Sequence, residues 1–456
     1  MENLQVLILA AGKGTRMKSR KAKVLHQVGG SALIEHVFRA AQSVSQRVLL
    51  VVGHQAEQVK ALLPEATFVD QKEQLGTGHA VLSAREALRG FSGDLLVLPG
   101  DVPLVGGDSL EHFVHFHREG GYAASILTAD LADPFGYGRI VRRSDNEVDS
   151  IVEHRDASAD VLKIPEINSS IYVFRTPDLF AALAHVGTRN SQSEYYLTDV
   201  IGILTSGKER VGAFKTASPV EILGINTRQE LAAIDHFLRN QKCESLMMEG
   251  VTIVDPESTF IDVDVKVGQD TVIYPSVQLE RGTIVGDDVT IRSFSRITNC
   301  RIGARSKVLE GCVLKDSEIG EDVSVGPFAH LRMGVTLEDT VKIGNFVEIK
   351  KSKLGRGTKS GHLAYLGDAT IGENVNIGAG VITANYDGTK KSETHIEDDA
   401  FIGTNSTLIA PVQVGKGGFV AAGSTINEDI PDEGLAIARE RQIVKEGRAP
   451  HRNKKK

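Results

Sequence analysis

Two hydrophobic rhythms divide the 456-residue chain. In the first half, unbroken aliphatic runs alternate with segments that are apolar on one face only. The runs VLILA (6–10), RVLLVVG (47–53) and LLVLPGD (95–101) predict strands. Leu33, Ile34, Val37, Phe38 and Ala41 share one face of a helix predicted near 31–42. Continuous aliphatic strands separated by amphipathic helices predict a mostly parallel, Rossmann-like α/β sheet covered on both faces. Ligands in such sheets gather at the carboxyl ends of the strands, where the loop after 10 and Asp101 both fall.

Beyond residue 250 the period becomes six. Ile261, Val267, Ile273, Leu279, Val285, Ile291 and Ile297 follow one another at that spacing. The register slips, resumes at Ile319, Val325, Leu331 and Leu337, and returns from Ile396 through Ile402, Leu408, Val414 and Val420 to Ile426. Six residues turn an α-helix through about 600°, not a whole number of turns, so one helical face cannot stay buried at this period. Short strands joined by tight corners can, with Gly, Asp or Asn at the corners. The pattern predicts a hexapeptide-repeat parallel β-helix, whose hand periodicity alone does not give.

Between the two rhythms lies NTRQELAAIDHFLRNQKCESLMME (226–249), a helical stretch that opens with Thr227 and Glu230 at capping-box spacing. The expected organisation is a domain over 1–226, a linker helix over 227–249, and a β-helix with a C-terminal tail over 250–456.

Composition narrows the class. The net charge of −7 and a pI near 6.1 argue against nucleic-acid binding, which normally shows a basic domain or stripe. Three cysteines, Cys243, Cys300 and Cys312, include no C-x-x-C pair and read as buried thiols in a reducing compartment. The apolar start is too short for a signal-peptide core and no window approaches a membrane span, so the expected location is the cytoplasm.

The opening stretch LILAAGKGTRMKSRKAKVL (7–25) passes from aliphatic to strongly basic with no acid among its residues. It lacks the Walker spacing, and Met17 occupies the place of the third glycine of a dinucleotide fingerprint. What remains is a loop of small residues with Arg16 and Lys23 placed to neutralise a triphosphate. HFVHFH (112–117) reads as a helix with a core face and not as a metal site. EYYLTD (194–199) reads as part of a helix on the sheet, and the closing HRNKKK as a solvated tail.

LAAGKGTRM…KVLH, QLGTGHA (74–80), GDVPL (100–104), GYGRI (136–140), IVEH (151–154) and EIN (166–168) together resemble the sugar-nucleotide pyrophosphorylase family. With the hexapeptide half, the whole chain resembles the bifunctional bacterial N-acetylglucosamine-1-phosphate uridylyltransferases/glucosamine-1-phosphate acetyltransferases. The resemblance implies a nucleotidyltransferase domain followed by a left-handed β-helix, and a homotrimer. It implies that Leu9, Ala10, Ala11, Gly12, Gln71, Gly76 and Thr77 hold the uridine of UTP, while Gly138, Glu153 and Asn168 hold the sugar. Arg16 and Lys23 would serve catalysis, and Asp101 with Asn226 would ligate Mg²⁺. Ser170 stands where the family usually has glycine.

In the β-helix half, regular hexapeptides are scaffold, so function is expected where the repeat breaks. The two breaks are TANYDGTKKSETH (383–395) and KKSKLGRGTKSGHLAYLG (350–367), the second containing His362. The resemblance makes His362 the general base of acetyl transfer from acetyl-CoA. It gives Arg332, Lys350, Tyr365, Asn376 and Lys391 to glucosamine 1-phosphate, and Ala379, Asn385, Tyr386, Thr404, Ala422 and Arg439 to acetyl-CoA. An alternative is a single-activity pyrophosphorylase whose β-helix only trimerises; the 383–395 insertion and His362 speak against it. The expected partners are small molecules and copies of the same chain, without nucleic acid or membrane.

Overall fold

The computed structural model describes residues 1–448 and separates into two compact units, Met1–Phe237 and Leu238–Lys456. The tail HRNKKK lies outside the described residues.

The first unit is built on one nine-stranded sheet. Its strands are β1 (Leu4–Ala10), β2 (Val48–Val52), β3 (Thr67–Asp70), β4 (Asp94–Pro99), β5 (Ala124–Asp130), β6 (Arg139–Arg142), β7 (Val148–Val152), β8 (Glu166–Arg175) and β9 (Val211–Lys215). The main order is β9-β5-β8-β4-β1-β2-β3, with the β6–β7 hairpin attached to β8. β4, β1, β2 and β3 are parallel, and β8 runs antiparallel to both β4 and β5. Along β1, Val6 and Ile8 enter one buried cluster while Leu7 enters the other, so both faces of the sheet are covered. That is why the strands read as aliphatic runs without alternation.

Helix α1 (Leu33–Val44) buries Leu33, Ile34, Val37, Phe38 and Ala41, the face read from the sequence. Two more helices matter below: α2 (Thr77–Ser83) and α3 (Gly107–Gly120). On α3 the HFVHFH stretch buries Phe113 and His117, and His117 Nδ1 meets Ser125 Oγ at 2.9 Å. Among the described residues, no cluster of three or more His, Cys, Asp or Glu side chains could hold a metal. EYYLTD does not form the expected helix. Residues 194–198 are irregular, and α4 (Asp199–Ser206) begins only at its last residue. Tyr195 spends its backbone N–H on Leu75 O and its carbonyl on Gly78 N–H, bonds that an internal helix would not leave free.

The unit boundary falls inside α5 (Arg228–Met248). The helix opens with the expected box: Thr227 N–H donates to Glu230 Oε2 at 2.9 Å, and Glu230 N–H to Thr227 Oγ1 at 3.2 Å. Cys243 and Leu246, near its end, join the core of the second unit.

That unit is a coil of short parallel strands stacked into three sheets of 11, 10 and 9 strands. Up to the last strand, Leu435–Ala436, which pairs with Phe419–Val420 two strands before it, each strand pairs with the third before or after it, so each coil lays one strand on each face. The interior positions run Ile297, Ile302, Val308, Leu314, Ile319, which explains the slip in period: one corner of the coil is a residue shorter there. The stretch 350–367 is therefore not a break. It is a continuous coil with strands at Lys353–Leu354, Lys359–His362 and Tyr365–Gly367. Buried Ser360 takes an interior place that Ile343 and Ile377 fill in neighbouring coils, which hid the repeat. The true interruption is the loop after Ile382–Ala384, which returns at Thr394–Ile396 and is pinned by an antiparallel bridge between Tyr386 and Lys391. Among the described residues, no helix is long and apolar enough to cross a membrane.

Candidate active sites

A cleft of about 660 Å³ opens at the carboxyl ends of β1, β3 and β4. Its floor is the turn from Leu9 to Thr15, and its sides include Gln71, Gly76, Thr77, Asp101, Glu153 and Ser170. The two basic side chains are brought in by short 3₁₀ turns, Thr15–Met17 and Lys23–Leu25. Gly14 lets them coexist: it sits at φ +60, and a Cβ there would fall 2.6 Å from Lys23 Cβ. Gly76, at φ +110, lies equally close to Tyr195, whose carbonyl a Cβ would approach to 2.6 Å.

Arg16, Lys23, Asp101 and Asn226 form one cluster across more than 200 residues of sequence. Arg16 Nη2 donates to Asn226 Oδ1 at 2.8 Å, and Lys23 Nζ donates to the same oxygen at 2.9 Å. Lys23 Nζ also pairs with Asp101 Oδ2. The two proposed metal oxygens thus converge on a single cationic nitrogen, which is the donor arrangement a small hard cation needs.

Around Glu153 the surroundings become drier, and Gly138 and Asn168 lie next to it, behind the cleft wall. Asn168 N–H donates to the Gly138 carbonyl at 2.9 Å, and Asn168 Nδ2 to the Tyr172 hydroxyl at 2.8 Å. Burial pushes the Glu153 carboxyl above the usual carboxylate range, and the hydroxyl of Thr198, at 3.3 Å, only partly offsets this. Burial likewise raises Tyr172. Glu194, Leu197 and Thr198 line the cleft, and sequence reasoning missed them because it assigned their segment to a helix. The glycine at 76, which only a close backbone approach explains, was the available signal.

In the second unit, His362 ends a four-residue strand paired in register with Lys342–Asn345, so that Asn345 stands directly beside it. His362 Nδ1 lies 2.7 Å from Asn345 Oδ1. An amide oxygen accepts, so Nδ1 carries the proton and Nε2 is left as the basic nitrogen. Asn345 escaped the sequence reading because the pairing depends on coil length. Backbone bonds from Gly380 to Leu363, Asn405 to Ala379 and Gly423 to Thr404 place His362, Ala379, Thr404 and Ala422 at one corner of successive coils. Arg439 Cδ comes within 4.0 Å of a Cβ built on Gly423, at the end of this column.

Round the corner from His362 lies a cationic group. Lys350 is held below the usual lysine range, first by its contact with Lys391, then by the nearby Arg332. Arg332 is tied to Glu348 at 2.9 Å, and Glu348 is in register with Tyr365. Asn376 stands on the adjoining sheet, in register with Lys359. In the 383–395 loop, Asn385 bonds Asp368, and the Tyr386 hydroxyl donates to Gly388 O at 2.6 Å.

A nucleotide-sized cleft on a parallel sheet, joined to a β-helix with a histidine beside a cationic cluster, defines a transferase of two catalytic units. Comparison with known proteins agrees. Residues 6–189 match the MobA-like NTP transferase domain, 264–299 the bacterial transferase hexapeptide (six repeats), and 393–428 the hexapeptide repeat of succinyl-transferase. The chain is 47% identical over 449 residues to the bifunctional protein GlmU of Koribacter versatilis, covering 97% of this chain and 96% of that one. The GlmU proteins of Geobacillus sp. strain WCH70 (49% over 442 residues, 96% of each chain) and Listeria monocytogenes serotype 4a (48% over 455, 99% of each) are similarly close. The chain belongs to the GlmU family. It is a bifunctional enzyme of UDP-N-acetylglucosamine synthesis that combines uridylyl transfer with acetyl transfer, and its coil is a left-handed parallel β-helix. The single-activity alternative falls with that assignment.

Proposed function

We propose the following division of roles. In the first unit, Leu9–Gly12, Gln71, Gly76 and Thr77 receive the uridine of UTP, and Gly138, Glu153 and Asn168 receive N-acetylglucosamine 1-phosphate. Arg16 and Lys23 neutralise the triphosphate while the sugar-phosphate oxygen attacks the α-phosphorus and pyrophosphate leaves. Asp101 and Asn226 would hold Mg²⁺, which supplies charge neutralisation at the phosphates. The observation that carries this reading is the convergence of Asp101 Oδ2 and Asn226 Oδ1 on one Lys23 ammonium. No protein nucleophile is needed; positioning and charge do the work.

In the second unit, His362 Nε2 takes a proton from the glucosamine amine as its nitrogen bonds to the acetyl carbonyl carbon. The carbon–sulfur bond breaks, and the thiolate of coenzyme A leaves to become the free thiol. Asn345 keeps the ring in the basic tautomer. Arg332, Lys350 and Lys391, with Tyr365 and Asn376, take the sugar phosphate. Its charge relieves the mutual repulsion that lowers Lys350. Acetyl-CoA follows the column Ala379, Thr404 and Ala422, with Asn385, Tyr386 and Arg439 beside it. The assembly is a cytoplasmic homotrimer. Exposed Phe328 and Phe346, stacked at 5.8 Å along one corner, support an interface there.

The test is a pair of assays on one sample: pyrophosphate release from UTP, N-acetylglucosamine 1-phosphate and Mg²⁺, and thiol release from acetyl-CoA and glucosamine 1-phosphate. Asp101→Ala should abolish the first and spare the second, and His362→Ala should do the reverse. Loss of both activities in either folded variant would overturn the division.

A further inference from the structure

Gln71 is buried just past β3, and nearly all of its hydrogen-bonding capacity is spent inside the protein. Its backbone N–H donates to Val52 O at 2.7 Å, and its carbonyl accepts from Gln74 Nε2 at 3.2 Å. Its side-chain Nε2 lies 3.3 Å from the Gly76 carbonyl and 3.0 Å from His79 Nδ1. A carbonyl only accepts, so the atom facing Gly76 is the NH₂ group. His79 Nδ1 must then accept the second amide proton, which leaves the histidine's own proton on Nε2. His79 itself is held on α2: the neighbouring Gly78 N–H donates to Tyr195 O at 2.8 Å, and the His79 carbonyl accepts from Ser83 Oγ at 3.0 Å.

With both amide protons committed, one atom is left over. Among the described residues Gln71 Oε1 has no partner, and it is not sealed from solvent; Gln71 lines the cleft. We infer that His79 is a positioning residue for base recognition: by taking a Gln71 amide proton it leaves only Oε1 facing the cleft. That position then takes a ring N–H donor, which uracil offers at N3, and repels the unprotonated N3 of cytosine. The inference rests on the proposed placement of uridine beside Gln71. Of the two bonds that fix the amide, the one to Gly76 is long, so His79 supplies the stronger restraint. Without it, an amide proton is free to turn into the cleft and to present cytosine with the donor it wants.

The experiment is a steady-state comparison of UTP with CTP in the pyrophosphate-release assay, for wild type, His79→Phe and His79→Asn. Phenylalanine keeps the ring and removes the acceptor. Asparagine places its Oδ1 where the imidazole has Nδ1. We expect His79→Phe to lower the UTP-over-CTP ratio of kcat/KM about ten-fold, mainly through a higher KM for UTP, the size of one misplaced hydrogen bond. His79→Asn should stay within about three-fold of wild type, because the acceptor is restored. An unchanged ratio in His79→Phe, or equal losses in both variants, overturns the role of His79. If His79→Phe does not fold, His79→Leu replaces it in the same comparison. A wild-type enzyme with no preference for UTP would instead refute the placement of uridine, which is a separate result.

Discussion

The two units solve the same problem, bringing distant residues to one point, by opposite means. In the first, the site gathers from loops at the ends of several strands: Arg16, Lys23, Asp101 and Asn226 meet although they span more than 200 positions. In the second, the backbone repeat does the gathering. Residues 17 or 18 apart stand side by side, as Asn345 does with His362 and Arg332 with Lys350, so a site needs only a suitable residue at the same corner of successive coils. The first sets each side chain's neighbours by where separate loops end. The second makes each side chain's neighbour a matter of coil length.

The largest effect that tests this contrast is removal of the proposed base. His362→Ala should lower acetyl transfer by about 10²–10⁴-fold and leave uridylyl transfer unchanged, measured as thiol and pyrophosphate release from one preparation. A comparable loss in both assays would mean that the sites are not separate. Next in size is the core of the coil. Ile291 is fully buried between Ile273 and Val308, so Ile291→Ala should cost about 2–5 kcal/mol in denaturant unfolding of the second unit. A cost near zero would show that neighbouring coils collapse into the cavity. Asn345→Ala should then lower acetyl transfer about ten- to hundred-fold, in kcat more than in KM, because the ring loses its fixed tautomer and angle. Asn345→Asp, which keeps an acceptor beside Nδ1, should recover most of the rate. If it does not, the stacked neighbour is not what orients His362.

The same contrast explains what the sequence reveals. The period of six is written in the aliphatic residues themselves, and so is the cation-rich turn at the end of β1, because continuous burial and phosphate-sized charge need particular residue types. The slip after Ile297 looked like an interruption, since losing one residue at a corner shifts every later position, while the backbone ladder simply continues. Ser360 concealed the coil that carries His362 for the opposite reason: a polar residue occupies an interior place. Glu194, Leu197 and Thr198 were missed because an apolar-polar mixture over six residues fits a helix as well as an irregular wall. Only the tertiary contact with Gly76 decides between them. Asn345 carried no signal at all without its partner one coil away.

Acidity tests the dry end of the first site. Burial raises Glu153, and the neighbouring Asp156 and Asp199 add to the effect against the Thr198 hydrogen bond. A carboxyl raised in the folded state binds its proton more tightly there than in the unfolded chain. Its contribution to stability is therefore fully present below the ordinary glutamate value and is lost as pH rises through the raised one. Glu153→Gln should remove that decline, so the variant gains on wild type across this window in denaturant unfolding while losing uridylyl transfer. Parallel pH curves would mean that Glu153 is not shielded from water.

The smallest effect is expected at Ser170, where the two designs meet a shared constraint. Corners in the β-helix repeatedly place non-glycine residues at positive φ, as at Phe346 (φ 56) and Leu363 (φ 49), without apparent need for glycine. In the first unit, Ser170 (φ 65) sits at a register shift within β8 between Asn168 and Tyr172, where the bulged strand lines the cleft. The left-handed backbone costs a non-glycine residue about 1–2 kcal/mol. Against that stand the Ser170 hydroxyl, which faces the Tyr172 phenol, and its N–H, which donates to Asn168 Oδ1 at 3.1 Å. Glycine keeps the N–H bond and loses only the hydroxyl, worth about 1 kcal/mol. Ser170→Gly should therefore change stability by no more than about 1 kcal/mol, with a net gain, in a urea titration. A loss larger than that would show that the hydroxyl, and not the backbone conformation, governs this wall of the cleft.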